Sequence, residues 1–300
     1  MYFIFKLSEL QRAYYRFKQQ KNPEAKTLSI LNKNSYDYLN RYALLSGLYS
    51  KLFPYNYVNQ ADHVVQVSCV HTRIPKETAQ AFIFSSVTGE KGYVTLIEAS
   101  PINIEFIKKY IDEQNINNIN LIHSAVYNQH TTITFGHCLD IPGNSRILKN
   151  EQHFQRVVNR WGGKWCKYKI PANTLDDLID SKVDFLNITI NGFEYSALEG
   201  ASRLMEQNPQ MRITFPWKQY SKEKGLRVNK NAQIIKVVDL LTQREYNIVF
   251  ADARQQTFVD TPFITGLALK KSSSELKGAG CIPIELDKLI NCPEKYDHLW

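Results

Sequence analysis

The chain lacks several signatures that would assign it quickly. Neither GxGxxG nor GxxxxGK[ST] occurs among its 300 residues. A phosphate cradle needs such a glycine turn, aimed by a helix N-terminus, so dehydrogenase and P-loop readings are disfavoured. The five cysteines (Cys69, Cys138, Cys166, Cys281, Cys292) contain no CxxC pair, which argues against a zinc knuckle and a disulfide framework. The seven histidines form no HExxH or HxH pair, so no metal-ligand set is expected. No apolar run reaches the length of a membrane span, and mean hydropathy is −0.36. The opening MYFIFKL is too short an apolar stretch for a secretory signal. The expected compartment is a reducing cytoplasm. What remains is ordinary globular usage, 43% apolar and 22% charged, long enough for one large domain.

The charge is uneven. Residues 1–60 hold nine basic and three acidic residues, +6 of the total +8, and nine of the 17 tyrosines. The spacing predicts helices over 8–20 and 35–51. A basic, tyrosine-rich head of this kind suits a protein or acidic-surface partner. From residue 63 apolar runs and amphipathic segments alternate. Strands are expected at 63–69, 93–98, 119–123, 184–190, 211–215, 246–251 and 263–270. Helices are expected at 75–87, 101–114, 174–179, 192–206 and 229–244. Ser100 is the expected N-cap before Pro101. Residues 124–170 read as irregular, broken at Pro142-Gly143 and Gly162-Gly163. The alternation argues a parallel α/β sheet with right-handed crossovers and helices on both faces. The division is a helical extension over 1–60, a body over 61–270 and a tail over 271–300.

In such sheets ligands sit beyond the carboxyl ends of the strands. Glu98 ends the second strand, where a carboxylate can accept hydrogen bonds from both hydroxyls of an adenosine ribose. An acid without a phosphate cradle suits S-adenosylmethionine, which has no phosphates. Other strand ends offer Ser68, Ser124, Ala125 and the stretch from Thr189 to Glu194. His71 and His123 titrate in a range that would let either take a proton.

Residues 92–104 (GYVTLIEASPINI), 174–178 (TLDDL) and 184–201 (DFLNITINGFEYSALEGA) resemble the FkbM family of S-adenosylmethionine-dependent methyltransferases. The resemblance spans about residues 63–270. It implies a Rossmann-like class I methyltransferase fold of about seven strands, the last antiparallel. It also implies O-methylation of a hydroxyl on a sugar or secondary metabolite, and so a small-molecule or glycan acceptor. The implied cofactor contacts are Glu98, Gln66, Ser68, Thr72, Ser124 and Ala125. The implied catalytic positions are Glu194, Thr189 and Asn191.

The chain departs from the family pattern at several of these. Where the family reads V-D-V-G-A-N-x-G, this chain has Gln66 for the acid and Ser68 and Thr72 for the glycines. Thr189 and Asn191 replace the acids of the L-K-I-D-V-E-G strand, while Gly192 and Glu194 remain. These losses motivate the alternative of a catalytically inactive, methyltransferase-like binding or scaffold protein. A third feature is the basic stretch 146–169, where Trp161 and Trp165 interleave with Arg146, Lys149, Arg156, Arg160, Lys164, Lys167 and Lys169. Basic and aromatic residues together can grip a nucleic acid. The segment Trp161-Gly-Gly-Lys-Trp165 equally suits an acceptor lid or a hairpin, and nucleic acid is the least favoured of these.

Overall fold

The computed structural model describes residues 50, 54–69, 80–140, 142–219, 233–252 and 263–270. Helices expected at 8–20 and 35–51, most of the basic extension, the tail, His71 and Thr72 lie outside the described residues.

Strand β1 (His63–Val67) is buried at all five positions, because both faces of its sheet are covered. Helix α1 (Gln80–Thr88), strand β2 (Tyr93–Glu98), helix α2 (Pro101–Glu113) and strand β3 (Ile119–His123) follow. Ser100 caps α2, its side chain accepting from the Asn103 amide, with Pro101 in the first turn. Further on come helix α4 (Leu175–Leu178), strand β8 (Phe185–Ile188), the short helices α5 (Glu194–Glu199) and α6 (Ser202–Gln207), and strand β9 (Arg212–Gln219). Helix α7 (Gln233–Gln243), strand β10 (Asn247–Asp252) and strand β11 (Phe263–Leu269) complete the body. The strands order as β10-β11-β9-β8-β1-β2-β3. β1 runs parallel to β2 and β8, and β9 to β8, while β11 is antiparallel to both neighbours. This is the seven-strand sheet with an antiparallel last strand that the sequence implies.

Two apolar clusters cover the faces. Tyr55, Phe84, Ile83, Ile107 and Phe185 pack on one side, and Leu175, Leu198, Leu204, Met205 and Leu241 on the other. Adjacent residues of β1, Val64 and Val65, point into opposite clusters, as strand alternation requires. Tyr55 and Val58, assigned to the extension from sequence, are buried in the first cluster, so the packed body includes them.

The stretch expected to be irregular is a second sheet. Strands β4 (Ala125–Val126), β5 (Thr131–Cys138), β6 (Arg146–Leu148) and β7 (Trp165–Asn173) order as β4-β7-β5-β6. Helix α3 (Glu151–Trp161) bridges β6 and β7, capped by the Asn150 side chain. Gly162, at φ +61°, ends it. Trp161 and Trp165 therefore flank a helix-to-strand junction, which corrects the hairpin reading. The expected single helix over 192–206 is two helices, broken at Gly200 and Ala201.

Gly200 shows why the break needs glycine. A Cβ there would run into the Tyr127 carbonyl oxygen, with Thr174 Cβ 3.1 Å away. Gly200→Ala is expected to cost about 1–3 kcal/mol, the usual range for overpacking. A urea-denaturation midpoint would measure the loss.

Candidate functional site

The site begins at the carboxyl end of β2. Glu98 is 2% exposed. One carboxylate oxygen accepts from the Cys69 amide at 2.8 Å and the other from the Ser100 amide at 2.8 Å. Burial pushes this carboxyl above its ordinary range. Those two amides and side-chain hydrogen bonds from Asn103 and Ser68 oppose the shift. The Cys69 thiol, buried next to this acid, is pushed up to about 12 and stays protonated and inert.

A cavity of about 260 Å³ opens beside Glu98. That volume is close to the lower end of ordinary ligand sites, about 300 Å³. Its apolar walls include Ile97, Ala99, Ala125, Val126 and Phe135. Its polar walls include Ser68, Asn103, Ser124, Ser145, Thr189 and Asn191. The second sheet and its loops supply the roof, through Phe135, Pro142, Gly143, Arg146 and Ile147. Asn103 is 2% exposed, and its Oδ1 has no hydrogen-bond partner among the described residues. A buried acceptor left unmatched costs about 1–3 kcal/mol unless something fills its place. The donor set and the orphaned oxygen fit a nucleoside: hydroxyls for Glu98 and Asn103, and a flat apolar slot for a base.

Six of the nine residues singled out from sequence share this cavity: Ser68, Glu98, Ser124, Ala125, Thr189 and Asn191. Gln66 lies beneath it. Its Nε2 donates to the Ser68 carbonyl at 2.6 Å and to Thr189 Oγ1 at 3.1 Å, and its Oε1 accepts from Asn187 Nδ2 at 2.6 Å. Asn187 Oδ1 in turn accepts from Thr214 Oγ1 at 2.7 Å. The sheet centre is thus a neutral, hydrogen-bonded amide network. Thr189 Oγ1 donates to the Val67 carbonyl at 3.0 Å. Asn191 Nδ2 donates to the carbonyls of Gly143 at 2.8 Å and Ser145 at 3.0 Å. Asn191 therefore ties the roof loop to the end of β8. Ser124 Oγ donates to the Ala125 carbonyl at 2.8 Å and accepts from Asn173 Nδ2 at 3.0 Å, both in the second sheet. His123 is exposed, reaches the Ala99 carbonyl at 3.2 Å, and does not line the cavity.

Ser68 takes φ +69°, a left-handed conformation that favours glycine, at the position where the family pattern has one. The turn is kept although the residue is not. Gln66 and Thr189 hold its carbonyl, and its hydroxyl bonds Glu98. Ser68→Gly and Ser68→Ala both lose that hydroxyl, and only alanine keeps the strained Cβ. The glycine variant is expected to be more stable than the alanine variant by about 1–2 kcal/mol, read from paired denaturation curves.

Glu194 opens α5 and is 4% exposed. Burial pushes its carboxyl up to about 7, opposed by backbone hydrogen bonds from its own amide and that of Gly192. It does not line the cavity, although its neighbour Phe193 does. Sequence reasoning missed Asn103, Phe135, Ser145 and Arg146 as wall residues. Asn103 had a local signal, since it sits in the first turn of α2, next to the acid. The roof residues had none.

The sheet order, the antiparallel last strand and a cavity at the carboxyl ends of β1, β2 and β8 define a class I methyltransferase fold. The FkbM methyltransferase domain model matches residues 70–248, more than half of the chain. The chain belongs to the FkbM methyltransferase family. No curated protein matches it. Among solved structures it is similar to the methyltransferase FkbM from Methylobacillus flagellatus KT, at 15% identity and a TM-score of 0.45. That match covers 73% of this chain and 47% of the other, so the chain spans about half the length of that relative. It is also similar to a putative rRNA-methylase from Clostridium thermocellum (18% identity, TM-score 0.41, covering 76% of this chain and 94% of that one). A SAM-dependent methyltransferase from Aquifex aeolicus matches at 13% identity and a TM-score of 0.41, covering 74% and 92%. Among the described residues no helix is long and apolar enough to cross a membrane, and no group of side chains is set to hold a metal ion.

Proposed function

We propose that the protein binds S-adenosylmethionine in the cavity beside Glu98 and methylates a hydroxyl group of a small-molecule or glycan acceptor. The observation that carries this reading is the unmatched Asn103 Oδ1 in the wall of a cavity that also holds the Glu98 carboxylate. Glu98 would accept from ribose hydroxyls. Asn103 Oδ1 would accept from the same sugar or from the base. Ala125, Val126 and Ile97 would flank the adenine. Bound there, the cofactor would supply an electrophilic methyl group for in-line attack by the acceptor oxygen.

The chain's own contribution is alignment. Gln66 and Thr189 fix the turn at Ser68. Asn191 fixes the roof loop, so the acceptor side of the cavity is held over the cofactor side. Among the described residues the ionisable side chains in the wall are Glu98 and Arg146, and Glu98 is held by internal hydrogen bonds. The acceptor proton would therefore leave to solvent. The same observation favours a second reading, in which the cofactor binds and no methyl group is transferred.

Calorimetric titration with S-adenosylmethionine and S-adenosylhomocysteine tests the proposal. Saturable micromolar binding is expected. The absence of any heat or thermal shift at millimolar ligand would overturn it. Mass spectrometry of hydroxylated acceptors incubated with protein and cofactor separates the two readings, a gain of one methyl group supporting transfer.

A further inference from the structure

The roof of the cavity carries cationic charge that nothing in the described structure neutralises. Arg146 opens β6, lines the cavity and is half-buried. Its Nε donates to the Asn144 carbonyl at 2.8 Å. Its two terminal nitrogens have no partner among the described residues. Its guanidinium sits 5.6 Å from the centroid of the Trp161 ring, and that of Arg160 sits 5.1 Å from the same ring. Two guanidinium groups thus share one indole, which is 41% exposed. Neither has a carboxylate within ion-pair distance among the described residues. Lys149 and Arg156 belong to the same cluster. Together with Arg146 they add to burial in pushing the His153 imidazole below its ordinary value.

Such a cluster is costly as it stands. Burying an arginine part-way loses hydration, and a second arginine on the same ring adds repulsion. Burial and Arg160 together hold the Arg146 guanidinium below its ordinary value, the direction that this repulsion requires. The indole offsets part of the cost through cation–π attraction and holds both planes in place. Nearby basic residues do find partners. Lys167 pairs with Glu151 at 2.9 Å, so the helix spends its acid away from the cavity. The Arg146 fork lies in the wall of the cavity that also holds Glu98, and the exposed Arg160 fork lies against the same Trp161 ring, outside the lining. Arginine forks match planar oxyanions, with two parallel hydrogen bonds to a carboxylate or phosphate.

We infer that Arg146 and Arg160, braced by Trp161, form an oxyanion subsite that holds a phosphate or carboxylate group of the acceptor. This rests on the proposed function, because it assigns the acceptor end of the same cavity. It narrows the acceptor to a hydroxylated molecule bearing an anionic group. Asn191 acts as a positioning residue for the subsite, because it ties down the loop from which Arg146 emerges.

The test uses the full chain without cofactor, so its outcome is independent of cofactor binding. The probes are glucose 1-phosphate, glucuronate and neutral glucose, followed by tryptophan fluorescence and calorimetry. The phosphate and carboxylate arms show which anion is preferred. Saturable binding of at least one anionic sugar is expected, with glucose at least tenfold weaker. Arg160→Gln, an exposed substitution, is expected to weaken anion binding about tenfold while leaving S-adenosylhomocysteine affinity unchanged. Arg146→Lys is expected to lose about as much as Arg146→Gln, because lysine keeps the charge and loses the fork. Equal binding of glucose and the anionic sugars would overturn the inference, and so would unaltered anion affinity in Arg146→Gln and Arg160→Gln. Failure to bind either anion would also overturn it, and tight salt-dependent binding of an oligonucleotide, lost in Arg160→Gln, would then assign the cluster to a nucleic-acid surface.

Discussion

Replacing Glu98 by glutamine is expected to weaken S-adenosylhomocysteine binding about 100-fold. An ionised carboxylate has acceptor capacity only, and both its oxygens already take a backbone amide at 2.8 Å. The Asn103 and Ser68 side chains also donate to it, so a ribose hydroxyl would bind by displacing one of these side-chain donors. Glutamine turns one oxygen into a donor. That donor must face either the Cys69 or the Ser100 amide, so one donor opposes another. It also withdraws an acceptor from the ribose. A hydrogen bond to a charged group contributes about 1.5–3 kcal/mol, and the upper end of that range is about a hundredfold in affinity. Titration calorimetry reads the change, and an unaltered dissociation constant would remove Glu98 from the cofactor site. The same variant is expected to lower stability by about 1–3 kcal/mol, the cost of one opposed buried donor. Burial also raises the Glu98 pKa, so affinity should fall as pH is lowered and the carboxyl becomes protonated.

The second large effect belongs to Glu194, whose carboxyl is held near 7. An unfolded glutamate titrates at about 4.3. Below that value both states are protonated and the fold carries no penalty. As pH rises through the interval up to about 7, the unfolded chain releases its proton while the folded chain retains it. Stability therefore falls across that window. The shift corresponds to about 3 kcal/mol lost between pH 4.5 and 7.5. Glu194→Gln removes the titration and keeps the shape. The variant should match the parent near pH 4.5 and exceed it by about 3 kcal/mol at pH 7.5. Urea midpoints at the two pH values measure the difference. Parallel pH profiles for parent and variant would place the Glu194 pKa at its ordinary value. A carboxyl poised in this way at the start of α5, one residue from the cavity wall, adds nothing to fold stability near neutral pH.

Particular elements show what was legible. Glu98, Ser100 and Pro101 read correctly because their signals are local: a strand-end acid, a capping hydroxyl and a proline in the first turn. The central strands read correctly because burial on both faces demands unbroken apolar runs. The break at Gly200 was not legible, because the glycine answers to Tyr127 and Thr174, remote in sequence. The second sheet was missed although β7 alternates, with Ile170 and Ala172 buried between exposed neighbours. Lys167 and Lys169 lie on the exposed face of that alternation, but the strand's partner β5 lies across helix α3. From sequence the basic stretch 146–169 suits an acceptor lid or a hairpin, with a nucleic-acid grip least favoured. In the fold its two parts separate, Lys167 toward Glu151 and Arg146 toward the cavity.

The sequence by itself determined the class of sheet, the family and the strand-end position of Glu98. Those follow from short-range patterns, where each residue type has one dominant physical reason to be there. Only the tertiary structure decided that Ser68 keeps a glycine's backbone conformation, that Asn191 ties down a roof, and that Glu194 lies buried beside the cavity. Backbone strain, desolvation and hydrogen-bond matching depend on which distant groups surround a residue. Arg146 is the clearest case, since its meaning changed from surface charge to cavity wall once β6 was placed against β5 over the ends of β2 and β8.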